Sequence, residues 1–264
     1  MALSNPAFSN TPAFAQKSRG PVAPSATELD ELYGRPSASP VDTDRMSYED
    51  VIIKTVSMFV VLLVGGAIGA VFPALLLPGL FIGLGLALVN IFKKVPSVPL
   101  IMAYSVVEGV FLGALSVTLE RMFPGIVLQA VLATLVVFAV TLALFANGKV
   151  RASARATKIF MIAGISYAAF SLINLGLQLT GVNQDPWGLY GTHIGGVPLG
   201  LIIAPIAILM AAYSLVLDFT SVKQGVESGA PRILGWKAAF GLVLTIVWLY
   251  IEFLRLIAIL RGSN

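Results

Sequence analysis

The chain contains no cysteine and a single histidine, His193. The first absence excludes a disulfide framework and any thiolate metal site, and the second leaves little for metal or acid–base chemistry. Charge is scarce as well: 11% of the 264 residues are Asp, Glu, Lys or Arg, against 57% hydrophobic. A mean hydropathy of +0.90 excludes a soluble domain of this length, which could not hide so much apolar surface, and defines a polytopic membrane protein. The lipid bilayer is therefore the first partner. The net charge of +4 reads as membrane topology, and no nucleic-acid partner is expected.

Residues 1–48 differ in kind. They are rich in Pro, Ser, Ala and acidic residues, such as Pro36, Pro40, Asp42 and Asp44, and bury too little apolar area to offset the entropy of ordering. The expectation is a disordered cytoplasmic tail, followed by a transmembrane domain over 49–264. No basic start with an apolar stretch precedes residue 50, so the tail does not read as a secretory signal. Asn5-Pro6-Ala7-Phe8 is nearly repeated as Thr11-Pro12-Ala13-Phe14, either as chance in a biased segment or as a docking motif for a protein partner.

Beyond the tail, seven apolar runs near 52–72, 75–92, 99–119, 125–146, 158–180, 197–220 and 236–260 are each long enough to cross about 30 Å of hydrocarbon. The predicted architecture is all-α, a seven-helix transmembrane bundle. Pro78, Pro198 and Pro205 fall near or inside spans, where proline ends or kinks a helix unless neighbours satisfy the freed carbonyls. Connections after the even spans carry Lys93, Lys94, Lys149, Arg151, Arg155, Lys158, Lys223, Arg232 and Lys237, whereas those after odd spans carry only Arg121. That asymmetry predicts a cytoplasmic N-terminus and a C-terminus outside.

Spacing selects helix faces. The pairs Gly65/Gly69, Gly79/Gly83 and Gly109/Gly113 recur four residues apart, which lets helix backbones approach closely in lipid. Tyr167, Ser171, Asn174 and Gln178 fall on one stripe of the fifth span, either bonding to a neighbouring helix or lining a pathway.

Three carboxylates stand in this apolar setting: Glu108, Asp218 and Glu252. A charge at mid-bilayer depth costs about 2.5–3.5 kcal/mol on insertion scales, so retained acids point to function. Glu108 has no basic residue within two turns of its own helix, which suits either proton sensing and cation coordination or a neutral acid bonded across helices. Glu252 has Arg255 three residues on and on the same face, a local ion pair that makes the charge tolerable. Asp218 sits toward the cytoplasmic end of the sixth span, in a helix expected to continue through Val222 and Lys223. A hairpin turning near Gly229–Arg232 places Asp218 opposite about Gly241 and leaves Glu252 about 15 Å deeper. On depth alone, Glu108 matches Glu252 better than Asp218 does.

Leu217-Asp218-Phe219-Thr220-Ser221-Val222, Gly235-Trp236-Lys237-Ala238-Ala239-Phe240-Gly241-Leu242, Trp248-Leu249-Tyr250-Ile251-Glu252-Phe253-Leu254-Arg255-Leu256 and Glu108-Gly109-Val110-Phe111-Leu112-Gly113 together resemble the bacterial branch of the Bax inhibitor-one, or transmembrane Bax inhibitor motif, family. The seven-span layout is similar over residues 50–260. The resemblance implies a bundle with its last helix near the centre, a bacterial plasma-membrane location, and a pH-sensitive calcium leak controlled by two acids on the sixth and seventh helices. Those acids map onto Asp218 and Glu252, which would titrate as a coupled pair and are the positions where calcium, as transported ion, would be met. The chain departs from the family pattern in its seventh-helix Glu in place of Asp, in a longer interval between the acids, and in a second span without a basic residue. Glu108 and Arg255 are therefore expected to share the gate's polar network, with Asn174 and Gln178 in support.

The expected function is a cation-permeable, proton-regulated membrane protein with no resident cofactor. The alternative is a non-conducting regulator that binds partner proteins through its tail, for example in membrane proteolysis or a stress response. No enzyme is expected. Asp218 and Glu252 lack the Gly-Asp-type motif of aspartyl membrane proteases, and His193 has no nucleophile or acid at recognisable spacing.

Overall fold

Ser47 starts the first long helix of the described residues, its side chain accepting the Asp50 N–H at 3.1 Å, and Glu49 and Asp50 in the first turn complement the helix dipole. In the computed structural model, which describes residues 25, 27, 44–185 and 187–262, this helix α1 runs over Tyr48–Val71. Pro73, whose missing N–H costs nothing at a helix start, opens a single 3-10 turn at Pro73–Leu75 that reverses the chain into α2, Leu76–Phe92. The remaining helices are α3 (Val98–Met122), α4 (Ile126–Ala146), α5 (Ala154–Leu179), α6 (Leu199–Glu227) and α7 (Leu234–Gly262). All seven expected spans are present and each is long and apolar enough to cross a membrane.

Local chemistry explains the boundaries. The α3–α4 reversal uses Gly125 at φ 84°, a left-handed conformation that glycine adopts without strain. Glu120 covers the adjoining N–H groups of Gly125 and Val127 at 2.6 and 3.0 Å. Between α5 and α6 lie a 3-10 turn, Gly188–Gly191, and a two-stranded hairpin of β1 (His193–Ile194) and β2 (Val197–Pro198). His193 is an exposed residue of that hairpin. Pro78 falls in the first turn of α2 and Pro198 caps α6, while Pro205 lies inside α6, which continues through it.

Two of the three glycine pairs bring helix backbones together as predicted, while Gly83 of the third meets the Glu108 side chain. A Cβ at Gly65 or Gly69 would lie 2.2 or 1.9 Å from the carbonyl oxygens of Val106 or Val110, and one at Gly109 or Gly113 would lie 2.0 or 1.9 Å from those of Leu62 or Gly66. The partner numbers rise together, so α1 and α3 run parallel with backbones in direct contact, held by van der Waals packing. Helix α7 is the most enclosed, half of its most apolar stretch being buried, and α5 the least, at 6%. The central position of the last helix is thus seen directly. In contrast, α5 presents Asn174 alone as a buried residue.

Nearly all of the expected tail, including its Pro-Ala-Phe repeat, lies outside the described residues. Its last residues are docked: the Met46 N–H donates to the Ala230 carbonyl at 2.8 Å, the Arg232 N–H donates to Asp44 at 2.9 Å, and Met46 is 4% exposed. The packed chain therefore begins a few residues ahead of the boundary expected at 48.

Candidate functional site

Glu252 is 1% exposed on the central helix, and both of its oxygens are engaged. Arg255, one turn on, donates from Nη1 to Oε1 and Oε2 at 2.9 and 3.0 Å, and Trp248 donates its indole N–H to Oε1 at 3.1 Å. Across from α5, the Tyr167 hydroxyl donates to the same oxygen and accepts from Arg255 Nη1 at 2.5 Å. The Arg255 guanidinium also lies 4.4 Å over the Tyr190 ring. Tyr190 in turn reaches Tyr167 at 3.4 Å and Ser171 at 3.2 Å through its hydroxyl. Opposite charges and hydroxyls thus close into a neutral knot, the arrangement that makes a buried charge affordable.

Asp218 sits one helix away, half-buried beside a pocket. Thr245 of α7 donates to its Oδ2 at 2.6 Å, and Ser214 meets Thr245 at 3.2 Å. A Cβ on Gly241 would stand 3.2 Å from Asp218 Oδ1, so the hairpin register deduced from the sequence holds. The carboxylate opens onto a pocket of about 370 Å³ lined also by Met46, Ser221, Gly225 and Lys237. The Lys237 ammonium is turned to the end of α2, donating to the Lys93 carbonyl at 3.0 Å.

Glu108 faces elsewhere. Its Oε2 lies where a Gly83 side chain would begin, 2.8 Å from that Cβ position, so it points at α2. Glu252 is hydrogen-bonded to Arg255, Tyr167 and Trp248 and to neither of the other acids. Depth in the bilayer suits Glu108 to Glu252, but the helical face does not. Among the described residues, no three His, Cys, Asp or Glu side chains gather as a metal-holding group.

On α7, Gly241, Thr245, Trp248, Glu252 and Arg255 form one stripe, at steps of four, three, four and three. Tyr167, Ser171, Asn174 and Gln178 repeat that spacing on α5, and the two stripes meet at Tyr167. Asn174 accepts the Leu189 N–H at 2.6 Å, which ties the 3-10 turn to α5. Asn174 and Gln178 line a second cavity of about 230 Å³ with Trp187, Tyr190 and Arg255. Along the α7 stripe the order is therefore the Asp218 pocket, the Glu252 knot about 10 Å beyond Thr245, and the Arg255 cavity.

Sequence reasoning did not find Trp248, Tyr190 and Thr245 as partners of these acids. The i, i+4, i+7 pattern of α7 was the available signal for Thr245 and Trp248. It also missed a cluster at the start of α1. There Asp50 accepts from Lys54 Nζ at 2.5 Å and from Arg232 Nε at 2.9 Å, and Lys54 donates to the Arg232 carbonyl at 2.7 Å. The i, i+4 spacing of Asp50 and Lys54 announced half of it. Arg232 lies in the α6–α7 loop, and the carboxylate beside it pushes its already high pKa up further.

Among the described residues, seven apolar helices around a buried charged knot define a multi-pass membrane protein in contact with the lipid bilayer. The chain belongs to the Bax inhibitor 1 like family, whose model matches residues 5–262. Among curated proteins, none matches the chain.

Proposed function

We propose that the chain is a passive, proton-regulated cation leak of a bacterial inner membrane, held shut in this state by Glu252, Arg255 and Tyr167. The observation that carries the reading is the order of features along the α7 stripe: a pocket at Asp218, a sealed knot, then a cavity at Arg255. Family membership supports calcium as the transported ion. The Lys and Arg distribution supports a cytoplasmic N-terminus, an outside C-terminus and an inward-facing Asp218 pocket.

A cation drawn into that pocket meets the Asp218 carboxylate and the Ser221 hydroxyl, with Thr245 bonded to the carboxylate from α7. A tight calcium site uses about six to eight oxygens, so this smaller set suits an ion that must leave again. Onward passage requires the knot to open. A proton added to Glu252 removes its charge and the attraction to Arg255. The guanidinium is then free to turn into the outer cavity beside Tyr190, Tyr167 loses its acceptor, and the weakly packed α5 can move aside. No bond is made or broken in the ion, so the reading is transport and not catalysis.

The test is calcium influx into dye-loaded proteoliposomes at pH values from about 6 to 8. Native protein should give a pH-dependent flux. Glu252→Gln, which fixes the uncharged form, should raise the basal flux and flatten the pH response, and Asp218→Asn should lower the flux. No flux in any form, with insertion confirmed, sinks the reading. The docking of Asp44 and Met46 beside the Asp218 pocket favours one alternative, a non-conducting regulator whose tail binds partner proteins. Deleting residues 1–43 separates the two, because a leak survives it and a tail-dependent regulator does not.

A further inference from the structure

A groove of about 580 Å³ runs between α1 and α4, with α6 and α7 as its floor. Its walls carry Val56, Phe59, Leu135 and Phe138, and its floor Phe219 and Ile246. The hydroxyls of Thr55 and Thr134, which also line it, are spent on their own helices, donating to the Val51 and Ala130 carbonyls at 2.8 Å each. What faces the groove is therefore hydrocarbon throughout. Left empty, such a volume forfeits the dispersion contacts that hold a membrane bundle together.

The dimensions fit one leaflet. From Tyr48 to Phe59 the groove follows α1 for about 16 Å, close to half of the hydrocarbon thickness of about 30 Å. At its mouth lie Tyr48, which is 48% exposed, and Phe145, whose ring is covered by the Arg151 guanidinium at 4.5 Å. Arg151 spends Nη1 on the Phe145 and Val150 carbonyls. Its Nε and Nη2 have no hydrogen-bond partner among the described residues. Along its own stretch of chain the charge is one-sided: Lys149, Arg151, Arg155 and Lys158 occur in 121–184, which contains no Asp or Glu, while on α1 Glu49 follows Tyr48 and Asp50 is already paired with Lys54 and Arg232.

We propose that this groove binds one acyl chain of an anionic phospholipid whose phosphate is held by Arg151 at the basic mouth. A guanidinium fork suits phosphate oxygens, and an apolar slot one leaflet deep suits the chain attached to them. A free phosphate would leave the slot empty. A peptide helix would need room for its backbone and side chains together, about 10 Å across. The site is separate from the α7 stripe, so the inference holds or fails independently of ion conduction.

The experiment is native mass spectrometry of the detergent-purified full chain. It is delipidated, then offered phosphatidylglycerol or phosphatidylcholine with identical acyl chains. One phosphatidylglycerol per chain should be retained, about fivefold more tightly than phosphatidylcholine, the ratio that one basic residue at a membrane surface supports. Arg151→Gln should equalise the two lipids. Leu135→Trp should abolish retention of both with helicity unchanged by circular dichroism. Leu135 and Val56 are both 55% exposed, so Val56→Trp serves as a second filler from the opposite wall if the first variant does not fold. Equal retention of both lipids by the native chain overturns the proposal. So does undiminished phosphatidylglycerol retention in Arg151→Gln or in a folded filler, or a second copy of the chain in place of lipid.

Discussion

Glu252 and Arg255 illustrate how much of a buried ion pair is owed to its neighbours. The carboxylate has three donors in Arg255, Tyr167 and Trp248, and the guanidinium has a ring beneath it and a hydroxyl beside it. Removing one partner leaves the other charge enclosed and uncompensated, at a cost of about 3–5 kcal/mol. Removing both leaves a neutral cluster of comparable shape. Arg255→Gln should therefore lower the melting temperature in detergent strongly, and the double variant Glu252→Gln/Arg255→Gln should recover most of the loss. Strict additivity of the two single effects would show that the pair is not coupled. Gly83 makes a smaller case of the same kind. Its α-hydrogen occupies the space beside Glu108 Oε2, and Gly83→Ala should displace the carboxyl with a penalty of about 1–3 kcal/mol, the usual range for overpacking, read from the same melts.

At the scale of elements, the fold is closed by two unlike devices. The parallel α1–α3 pair depends on bare glycine backbone, and Gly69→Val must push against the Val110 carbonyl at 1.9 Å from its first added carbon. That variant should lose folded yield on size exclusion, whereas the same change at exposed Gly85, which meets nothing within 4 Å, should be well tolerated. The start of α1 is instead latched to the α6–α7 loop by Asp50, Lys54 and Arg232. Asp50→Asn leaves buried Lys54 without its counter-ion. It should raise hydrogen exchange at 44–50 and 229–236 while leaving the middle of α7 protected. The glycine device was legible in the sequence because small residues at four-residue spacing have one main use in lipid. The register of α6 against α7 was legible because a tight hairpin fixes it. The meeting of α5 with α7 was not. Periodicity names the polar face of each helix but not which faces meet, and in lipid no difference in apolarity ranks the choices. For the same reason depth alone paired Glu108 with Glu252, while the fold turns Glu108 toward α2.

For the whole molecule, the remaining question is which way it crosses the membrane, and the sequence's own gaps make that easy to ask. The basic residues Lys93, Lys149, Arg151 and Lys223 gather at one end with the Asp50 latch, and the β1–β2 hairpin and the Glu120 turn lie at the other. If retention of positive charge on the cytoplasmic side governs insertion, the Asp218 pocket opens inward and the Arg255 cavity opens outward. Because the chain has no cysteine, a single introduced thiol is an unambiguous reporter. His193 in the hairpin and Ser228 after α6 are both exposed, and neither belongs to the knot or the Asp218 pocket. His193→Cys should react with a membrane-impermeant maleimide in intact cells, and Ser228→Cys should react only after the membrane is opened. The reverse pattern would place Asp218 outside and, for the leak proposed above, reverse the direction in which a cation first meets a carboxylate. It would leave the place of the knot unchanged, since Glu252 is 1% exposed on the central helix whichever way the chain crosses.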